Sequence, residues 1–246
     1  MKLSNSASRW FGGLFAAALS LLSIGNASAQ ILWYNGDRNF VNSLNSTDNG
    51  TSNSAIVYDD FTVTSSTGWQ VTGVFGTFKL PNTVTNANWE IRSGVSAGNG
   101  GTLLDSGENA PVVLTPGASS GGFTQYTVAV TGLNFDLAPG TYWLGLQPIS
   151  TGAGFLVTTS GANAVGTPAG NDSNAFWTSS TLGIPNNGES FESTTSSGDP
   201  NLNSNLIAFS LGVDGTVVPV PEPSSWALVL VCMGLLASLR ARSKRA

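Results

Sequence analysis

The sequence predicts an all-β fold, a two-sheet β-sandwich that is jelly-roll-like, with an N-terminal signal peptide and a short C-terminal transmembrane helix. Two observations lead to the sandwich. Residues 30–218 contain many short runs of alternating apolar and polar residues, separated by Gly, Pro, Asn and Ser, and this alternation is typical of half-buried strands. The same region has no stretch with the 3.6-residue apolar period of a helix. Both ends of the chain, in contrast, carry a short apolar segment flanked by basic residues.

The N-terminal segment has the anatomy of a secretory signal peptide. Two basic residues precede the uncharged, mostly apolar run Trp10 to Ile24, and Ala27 and Ala29 then form a small-x-small site. This order of a basic start, an apolar run and a small-residue site is typical of a signal that is removed on export. We therefore expect cleavage after Ala29, with residues 1–29 as the signal peptide and residues 30–218 as the exported domain.

Individual strands can be read from the alternation in the exported domain. One face is apolar in each of four runs, which are FTQYTVAV (123–130), TYWLGLQ (141–147), WEIRS (89–93) and IAFSLGV (207–213). The run WQVTGVFGTF, from Trp69 to Phe78, reads as a further half-buried strand. Ala138-Pro139-Gly140 separates LNFDL from TYWLGLQ with the residues that a tight turn prefers, so we predict a hairpin there. Nine or ten such strands favour a two-sheet sandwich.

The charge distribution excludes several functions for the exported domain. Residues 30–218 contain three basic and 13 acidic residues, a formal charge of −10. Nucleic acid is a poor partner for such a surface, because its binding depends on Lys and Arg that neutralise phosphates. The chain has no histidine, and its one cysteine, Cys232, lies in the C-terminal apolar segment. The exported domain therefore lacks an internal disulfide and the usual ligands of zinc and copper.

The C-terminal segment combines an extended stretch, an apolar run and a basic end. As a helix, Trp226 to Leu239 would rise about 21 Å, which is short against a hydrocarbon core of about 30 Å. Pro221 and Pro223 hold the preceding chain extended, and Glu222 lies where the N-terminus of the helix favours negative charge. Four basic residues follow the apolar run and would stay cytoplasmic. The arrangement suits presentation to a processing enzyme, which binds an extended backbone, better than permanent anchoring.

This segment resembles a PEP-CTERM sorting signal, a segment that is also labelled the C-terminal domain of ice-binding proteins. The resemblance covers residues 219–246. The residues that carry it are Pro221, Glu222, Pro223, Arg240, Arg242, Lys244 and Arg245. It implies export by a Gram-negative bacterium, residence in the inner membrane before processing, and recognition by an exosortase, a membrane-embedded Cys-dependent transpeptidase. Thr62-x-Thr64 and Thr83-x-Thr85 are not repeated as a ladder, so we expect no ice-binding activity.

The exported domain also resembles β-sandwich domains found upstream of PEP-CTERM tails. The matching stretches are VYDDFTV (57–63), WEIRSGVSAGNGG (89–101), LAPGTYWLGL (137–146) and IAFSLG (207–212). This resemblance implies a jelly-roll-like fold and no established catalytic activity.

No pattern in the sequence predicts catalysis, so we name no catalytic residue. Residues 117–121 match the G-x-S-x-G pattern of hydrolases, but they follow Pro116 in a Gly- and Ser-rich turn and the chain has no histidine to accept the serine proton. A glycosidase needs two carboxylates at a defined separation. Asp59 and Asp60 are adjacent, so on a strand they would point to opposite faces.

Two kinds of binding site are weighed instead. Sandwich domains can hold calcium through loop oxygens, and the candidate ligands are Asp59, Asp60 and Asp172. The simpler interpretation is that these acids are solvated and bind no ion. No other cofactor is expected. Trp143 and Trp177 are the candidates for stacking on a sugar, with burial as the alternative fate of both rings.

The sequence therefore predicts a non-enzymatic exported protein of the cell envelope, cell surface or extracellular matrix, sorted and processed through its PEP-CTERM signal by an exosortase. The alternative is a lectin-like module that binds exopolysaccharide. An uncharacterised hydrolase is the third hypothesis.

Overall fold

A computed structural model describes residues 29–50, 54–170, 172–179, 191–195, 204–220 and 233. These residues form twelve β-strands, and the all-β prediction is confirmed. The strands β1 to β12 are Gln30–Tyr34, Arg38–Asn45, Ala55–Val63, Trp69–Leu80, Asn86–Ser93, Thr102–Ser120, Phe123–Leu137, Gly140–Pro148, Phe155–Thr159, Phe176–Ser179, Glu192–Ser193 and Leu211–Val217.

The strands form one antiparallel sheet that curls into two layers. Its order is β1-β12-β4-β7-β6-β5-β8-β3-β10-β11, and a ribbon of β2 and β9 joins β4 through β9. Strand β6 belongs to both layers, because it pairs with β5 up to Pro111 and with β7 from Val112 onward. We call β1, β2, β4, β7, β9 and β12 the first layer, and β3, β5, β8, β10 and β11 the second layer. This architecture is consistent with the predicted jelly-roll-like sandwich.

Aromatic rings from the two layers meet in the core. Phe61 of β3 stacks on Trp69 of β4 with ring centroids 5.9 Å apart, and Trp89 of β5 stacks on Phe135 of β7 at 5.5 Å. Such pairs stabilise a fold by about 0.5–1.5 kcal/mol beyond the burial of their area. Phe61, Trp69 and Trp89 belong to one large cluster of buried side chains to which both layers contribute, and Phe135 packs against it.

The second layer is apolar on its outer face as well. Val57 and Phe61 of β3 lie in the core, and since side chains alternate along a strand, Tyr58, which follows Val57, points outward. There it forms a smaller cluster, which we call the outer cluster; its members are Tyr58, Val95, Trp143, Phe176 and Phe191. Strand β3 is therefore covered on both faces, which matters because it also carries two aspartates.

The predicted hairpin at Ala138–Gly140 is wrong. The tight turn is present between β7 and β8, but β7 pairs with β4 and β6 while β8 pairs with β3 and β5. The turn is thus a corner between the layers, and the Tyr142 hydroxyl pins it by donating to the carbonyl of Ala138 at 2.8 Å. Alternation identifies which face of a strand is buried, but it does not identify the strand's partner.

A true two-residue hairpin lies where the G-x-S-x-G pattern ends. Gly121 and Gly122 join β6 to β7 with φ values of 62° and 81°. Positive φ at both central residues is the requirement of the type I′ turn, which matches the twist of the flanking strands. The expected turn at residues 117–121 is therefore wrong for residues 117–120, which lie in β6, and only Gly121 belongs to the turn.

The ends of the chain lie largely outside the described residues. This holds for Ala27 of the predicted cleavage site, for the sorting signal from Pro221 onward and, apart from Met233, for the predicted membrane helix from Trp226 to Leu239. Within the part of the chain that is described, no helix is long and apolar enough to cross a membrane. Gln30, the expected first residue after cleavage, is also the first residue of β1.

Candidate cation site

Three acidic side chains converge beside strand β3. Asp59 and Asp60 are consecutive on β3, and Asp172 lies in the connection between β9 and β10. One carboxylate oxygen of each residue lies within 4.8 Å of those of the other two. Asp59 is 0% exposed and Asp60 is 5% exposed, whereas Asp172 is exposed. The structure thus brings together the three residues that the sequence analysis named as calcium candidates.

The approach of Asp59 to Asp60 has a local cause. Adjacent residues of a strand point to opposite faces, and Asp59 lies in the core-facing row with Val57 and Phe61. Its carboxylate nevertheless bends toward its neighbour, because the backbone N–H of Asp60 donates to Asp59 Oδ1 at 3.1 Å. The two carboxylates can therefore share one site although their side chains leave the strand in opposite directions.

Asp59 has partners within the chain. Its Oδ2 accepts hydrogen bonds from Asn35 Nδ2 at 2.8 Å and from the backbone N–H of Phe209 at 2.6 Å. Burial raises the pKa of Asp59 well above its usual value, while the Phe209 N–H acts in the opposite direction. Asn35 in turn accepts from the backbone N–H of Gly170 at 2.5 Å. Asp59 is therefore anchored both to the core and to the connection that carries Asp172.

Asp60 is in a different situation. Its Oδ1 is buried and has no hydrogen-bond partner among the described residues. Burial raises the pKa of Asp60 to about 7, the Asp172 carboxylate acts in the same direction, and the Asn174 side chain acts against both. Of the described residues, Arg92 and Glu90 form an ion pair elsewhere, and none places a Lys or Arg within ion-pair distance of Asp60.

The connection that carries Asp172 is fixed to the sheet at several points. The backbone N–H of Asn174 donates to Asp172 Oδ1 at 3.3 Å, and the indole N–H of Trp143 donates to the carbonyl of Asn174 at 3.0 Å. Further upstream, Trp33 Nε1 donates to the carbonyl of Pro168 at 3.0 Å. These bonds hold Asp172 over β3, because Trp143 is also the cross-strand neighbour of Asp60.

The chemistry of this arrangement suits a hard cation. Three carboxylates with oxygens within 4.8 Å repel one another unless a proton or a cation lies between them. Oxygen ligands are those that Ca²⁺ and Mg²⁺ prefer.

Comparison with known proteins indicates how this protein is exported and sorted. Residues 219–245 match the family model of the PEP-CTERM protein-sorting motif. The chain carries a PEP-CTERM sorting motif. It marks an exported protein whose sorting to the cell envelope or surface depends on an exosortase, a membrane protein that recognises the signal. No match was found among curated proteins or among solved structures.

The PEP-CTERM motif covers every residue that the sequence analysis assigned to sorting. Pro221, Glu222, Pro223, Arg240, Arg242, Lys244 and Arg245 all fall between positions 219 and 245. They lie outside the described residues.

The two tryptophans considered for sugar contact are buried. Trp143 is 7% exposed and sits in the outer cluster, and Trp177 is 1% exposed and sits in the core. Both indole N–H groups donate to backbone carbonyls at 3.0 Å, from Asn174 and Asn45 respectively. A sugar stacks on a free ring face, so the structure lends no support to sugar contact at either ring.

Sequence reasoning missed two partners in the acidic site. Asn35 follows the apolar run of β1, and a polar residue directly after a buried strand was the available signal. The N–H of Phe209 carries no sequence signal, because any residue except proline supplies the same donor.

Proposed function

We propose that the chain is a non-enzymatic exported protein of the cell envelope or extracellular matrix whose β-sandwich holds a Ca²⁺ ion at Asp59, Asp60 and Asp172. The PEP-CTERM motif supports the delivery. The acidic site supports the bound ion. We assign the ion a structural role, since it would join β3 to the connection between β9 and β10.

One observation carries the calcium proposal. Oδ1 of Asp60 is buried without a hydrogen-bond partner among the described residues, and one carboxylate oxygen of Asp60 lies within 4.8 Å of an oxygen of each of two further carboxylates. A buried polar atom without a partner is costly, and a buried charge is tolerated when it is paired or coordinates a metal. A cation between the carboxylates would serve as the missing partner of this oxygen and would remove the repulsion between the three negative charges.

The ligand set favours Ca²⁺ over other ions. The exported domain has no histidine and no cysteine, which disfavours zinc and copper. Mg²⁺ requires near-ideal octahedral geometry, whereas Ca²⁺ accepts six to eight oxygens in irregular arrangements that include backbone carbonyls and water. A site made from two adjacent strand residues and one exposed loop residue is irregular. We expect the affinity of extracellular calcium modules, with Kd values of about 10⁻⁴–10⁻³ M.

The other two hypotheses are less well supported. A hydrolase would need its carboxylates beside a bound substrate, yet Asp59 is fully buried and engaged by Asn35 and Phe209. The hypothesis of a lectin-like module rested on sugar stacking at Trp143 and Trp177, and both rings are buried.

The calcium proposal can be tested with Tb³⁺, a luminescent substitute for Ca²⁺. Trp143 lies opposite Asp60 in the sheet and would excite a bound Tb³⁺ ion at short range. We expect tryptophan-excited Tb³⁺ emission from the chelator-treated full chain in neutral detergent, and its displacement by Ca²⁺. Asp60→Asn should weaken Tb³⁺ binding about tenfold or more, whereas Asp136→Asn, at an exposed position on β7, should leave it unchanged. Equal emission from both variants would place the ion elsewhere.

The delivery proposal has its own test. If Pro-Glu-Pro presents an extended backbone, Pro221→Ala combined with Pro223→Ala lets a following helix grow backward and removes that shape. We expect the double variant to accumulate in membranes with its basic tail intact, as the wild type should in an exosortase-deficient host. Blots with one antibody to the sandwich and one to the tail measure this. Pro219→Ala is the matched control, and normal trimming of the double variant would refute presentation.

A further inference from the structure

A bulge in strand β2 projects an aromatic ring from the first layer. Arg38 pairs with Thr159 and Ser43 pairs with Val157, so four residues of β2 face one residue of β9. Thr158, the residue of β9 opposite the bulge, holds it in place. Its hydroxyl lies 2.7 Å from Asn39 Oδ1 and accepts a hydrogen bond from the backbone N–H of Asn42 at 3.1 Å.

The residue at the tip of this bulge adopts an unfavourable conformation. Phe40 has a φ of 63°, in the left-handed region that bulky residues rarely occupy, and its side chain is 76% exposed. Gly and Asn are the residues that commonly adopt this conformation, and Phe40 is neither. The burial of its ring does not explain the conformation, because the ring is exposed. Backbone strain of this kind is concentrated at binding sites, where the surrounding structure over-determines the strained residue.

The ring lies beside two of the three basic residues of the exported domain. The guanidinium carbon of Arg38 is 4.2 Å from the centre of the Phe40 ring, and Arg38 Nη1 donates to Gln125 Oε1 at 2.5 Å. Lys79 lies next to Gln125 in the sheet and donates from Nζ to Ser43 Oγ at 3.4 Å.

Neither cation has an acidic partner in the part of the chain that the structure describes. Arg38 Nε is buried without a hydrogen-bond acceptor. Burial and then the charge of Arg38 lower the pKa of Lys79, as expected for two cations without an intervening anion. Among the described residues, therefore, no carboxylate pairs with this patch, although the exported domain has 13 acids.

A small cavity opens between these groups. Its volume is about 240 Å³, below the roughly 300–1,000 Å³ of pockets that take drug-sized ligands, so it suits a single ring. It is lined by Arg38, Phe40, Lys79, Ala118, Phe123 and Gln125.

We propose that this cavity binds a uronate residue, the carboxylated sugar unit of an acidic polysaccharide. Arg38 and Lys79 would hold the carboxylate, because a guanidinium and an ammonium are strong charge-assisted donors. Phe40 would cover the C–H face of the sugar, and the Gln125 amide would bond a hydroxyl. The acids elsewhere on the domain do not prevent this, since charges beyond about 8 Å are screened at physiological salt. The proposed site places the activity of a lectin-like module at β2 and β4 instead of at Trp143 and Trp177. It rests on the proposed export of the protein, but it does not require the calcium ion.

The test uses three small probes on the full chain in neutral detergent, measured by titration calorimetry. The probes are trigalacturonate, its methyl ester, which removes only the charge, and glycerol phosphate, which represents a lipid headgroup. We expect trigalacturonate to bind at least about tenfold more tightly than the other two. Arg38→Gln and Lys79→Gln should each weaken it about tenfold, and Phe40→Ala about fivefold.

Two controls separate this site from the rest of the molecule. Val41→Ala removes the other exposed apolar side chain of the bulge, at 62% exposure, and should leave binding unchanged. Asp60→Asn should also leave it unchanged, so that failure of the calcium proposal does not affect this result. The proposal is overturned if trigalacturonate does not bind, if the ester or glycerol phosphate binds equally well, or if Lys79→Gln and Val41→Ala behave alike.

Discussion

Two acids of the second layer, the partly exposed Glu90 and the buried Asp60, are treated very differently by the same chain. Glu90 on β5 pairs with Arg92 at 2.5 Å between Nε and Oε2, and the Tyr58 hydroxyl donates to the same oxygen at 2.8 Å. Arg92 also lies over the rings of Tyr58 and Phe191 in the outer cluster. Asp60 on β3, in contrast, has a buried oxygen without a partner and two other carboxylates beside it.

This difference indicates what completes the site at Asp60. The fold can supply a cation and a hydroxyl to an acid on the second layer, since it does so for Glu90. At Asp60 it supplies further negative charge instead. Three carboxylates this close repel one another when they are ionised, so the arrangement is stable when a cation from solution takes the place that Arg92 takes at Glu90.

The largest effect is expected where the acidic site is tied into the core. Asp59→Ala would leave Asn35 Nδ2 and the Phe209 N–H buried without acceptors, and each loss costs about 1–3 kcal/mol. We expect the free energy of unfolding to fall by about 3–5 kcal/mol, measured by urea denaturation. Asp59→Asn keeps an acceptor and is the matched control. A loss of less than about 1 kcal/mol would mean that Asp59 does not anchor the site.

The response to Ca²⁺ should distinguish Asp60 from an ordinary acid. With Ca²⁺ at about 30 times its Kd, the wild type should be about 2 kcal/mol more stable than in chelator, whereas Asp60→Asn should gain nothing because it lacks the site. In chelator at pH 8 the variant should be more stable than the wild type by about 1–3 kcal/mol, because it removes one of three neighbouring carboxylates. Urea unfolding under the two conditions measures both differences. An equal gain from Ca²⁺ in the two proteins would contradict the comparison with Glu90.

The smallest effect is expected at Glu90 itself. Its side chain is 28% exposed and that of Arg92 is 18% exposed, so solvent screens their interaction. Glu90→Gln keeps an acceptor for Tyr58 and should lower the free energy of unfolding by at most about 1 kcal/mol. The loss should be equal with Ca²⁺ and with chelator. A calcium-dependent loss would show that the two acidic sites are not independent.

Much of the fold follows from local patterns, while strand pairing does not. The runs at 69–78 and 89–93 became parts of β4 and β5, because alternation reports which side chains face the core. The corner at Ala138–Gly140 was misread as a hairpin because the turn residues are the same whether the next strand folds back or crosses to the other layer. Only the long-range register of β8 with β3 and β5 decides between these.

The candidate sites show the same limit. Asp59, Asp60 and Asp172 could be named from charge, but their convergence depends on the contact of a distant connection with β3. That connection also buries Trp143, which the alternation of β8 alone would leave exposed. The patch of Arg38 and Lys79 was not recognised, since the two residues lie 41 positions apart and meet only through the pairing of β2, β9 and β4.

The most direct test of the central claim is a calorimetric titration of CaCl₂ into the chelator-treated full chain in neutral detergent, beside Asp60→Asn and Asp136→Asn. We predict one site per chain in the wild type and in Asp136→Asn, with a Kd of about 10⁻⁴–10⁻³ M or tighter. Asp60→Asn should lose that site. The account is contradicted if the wild type gives no binding heat, or if Asp60→Asn binds Ca²⁺ as the wild type does.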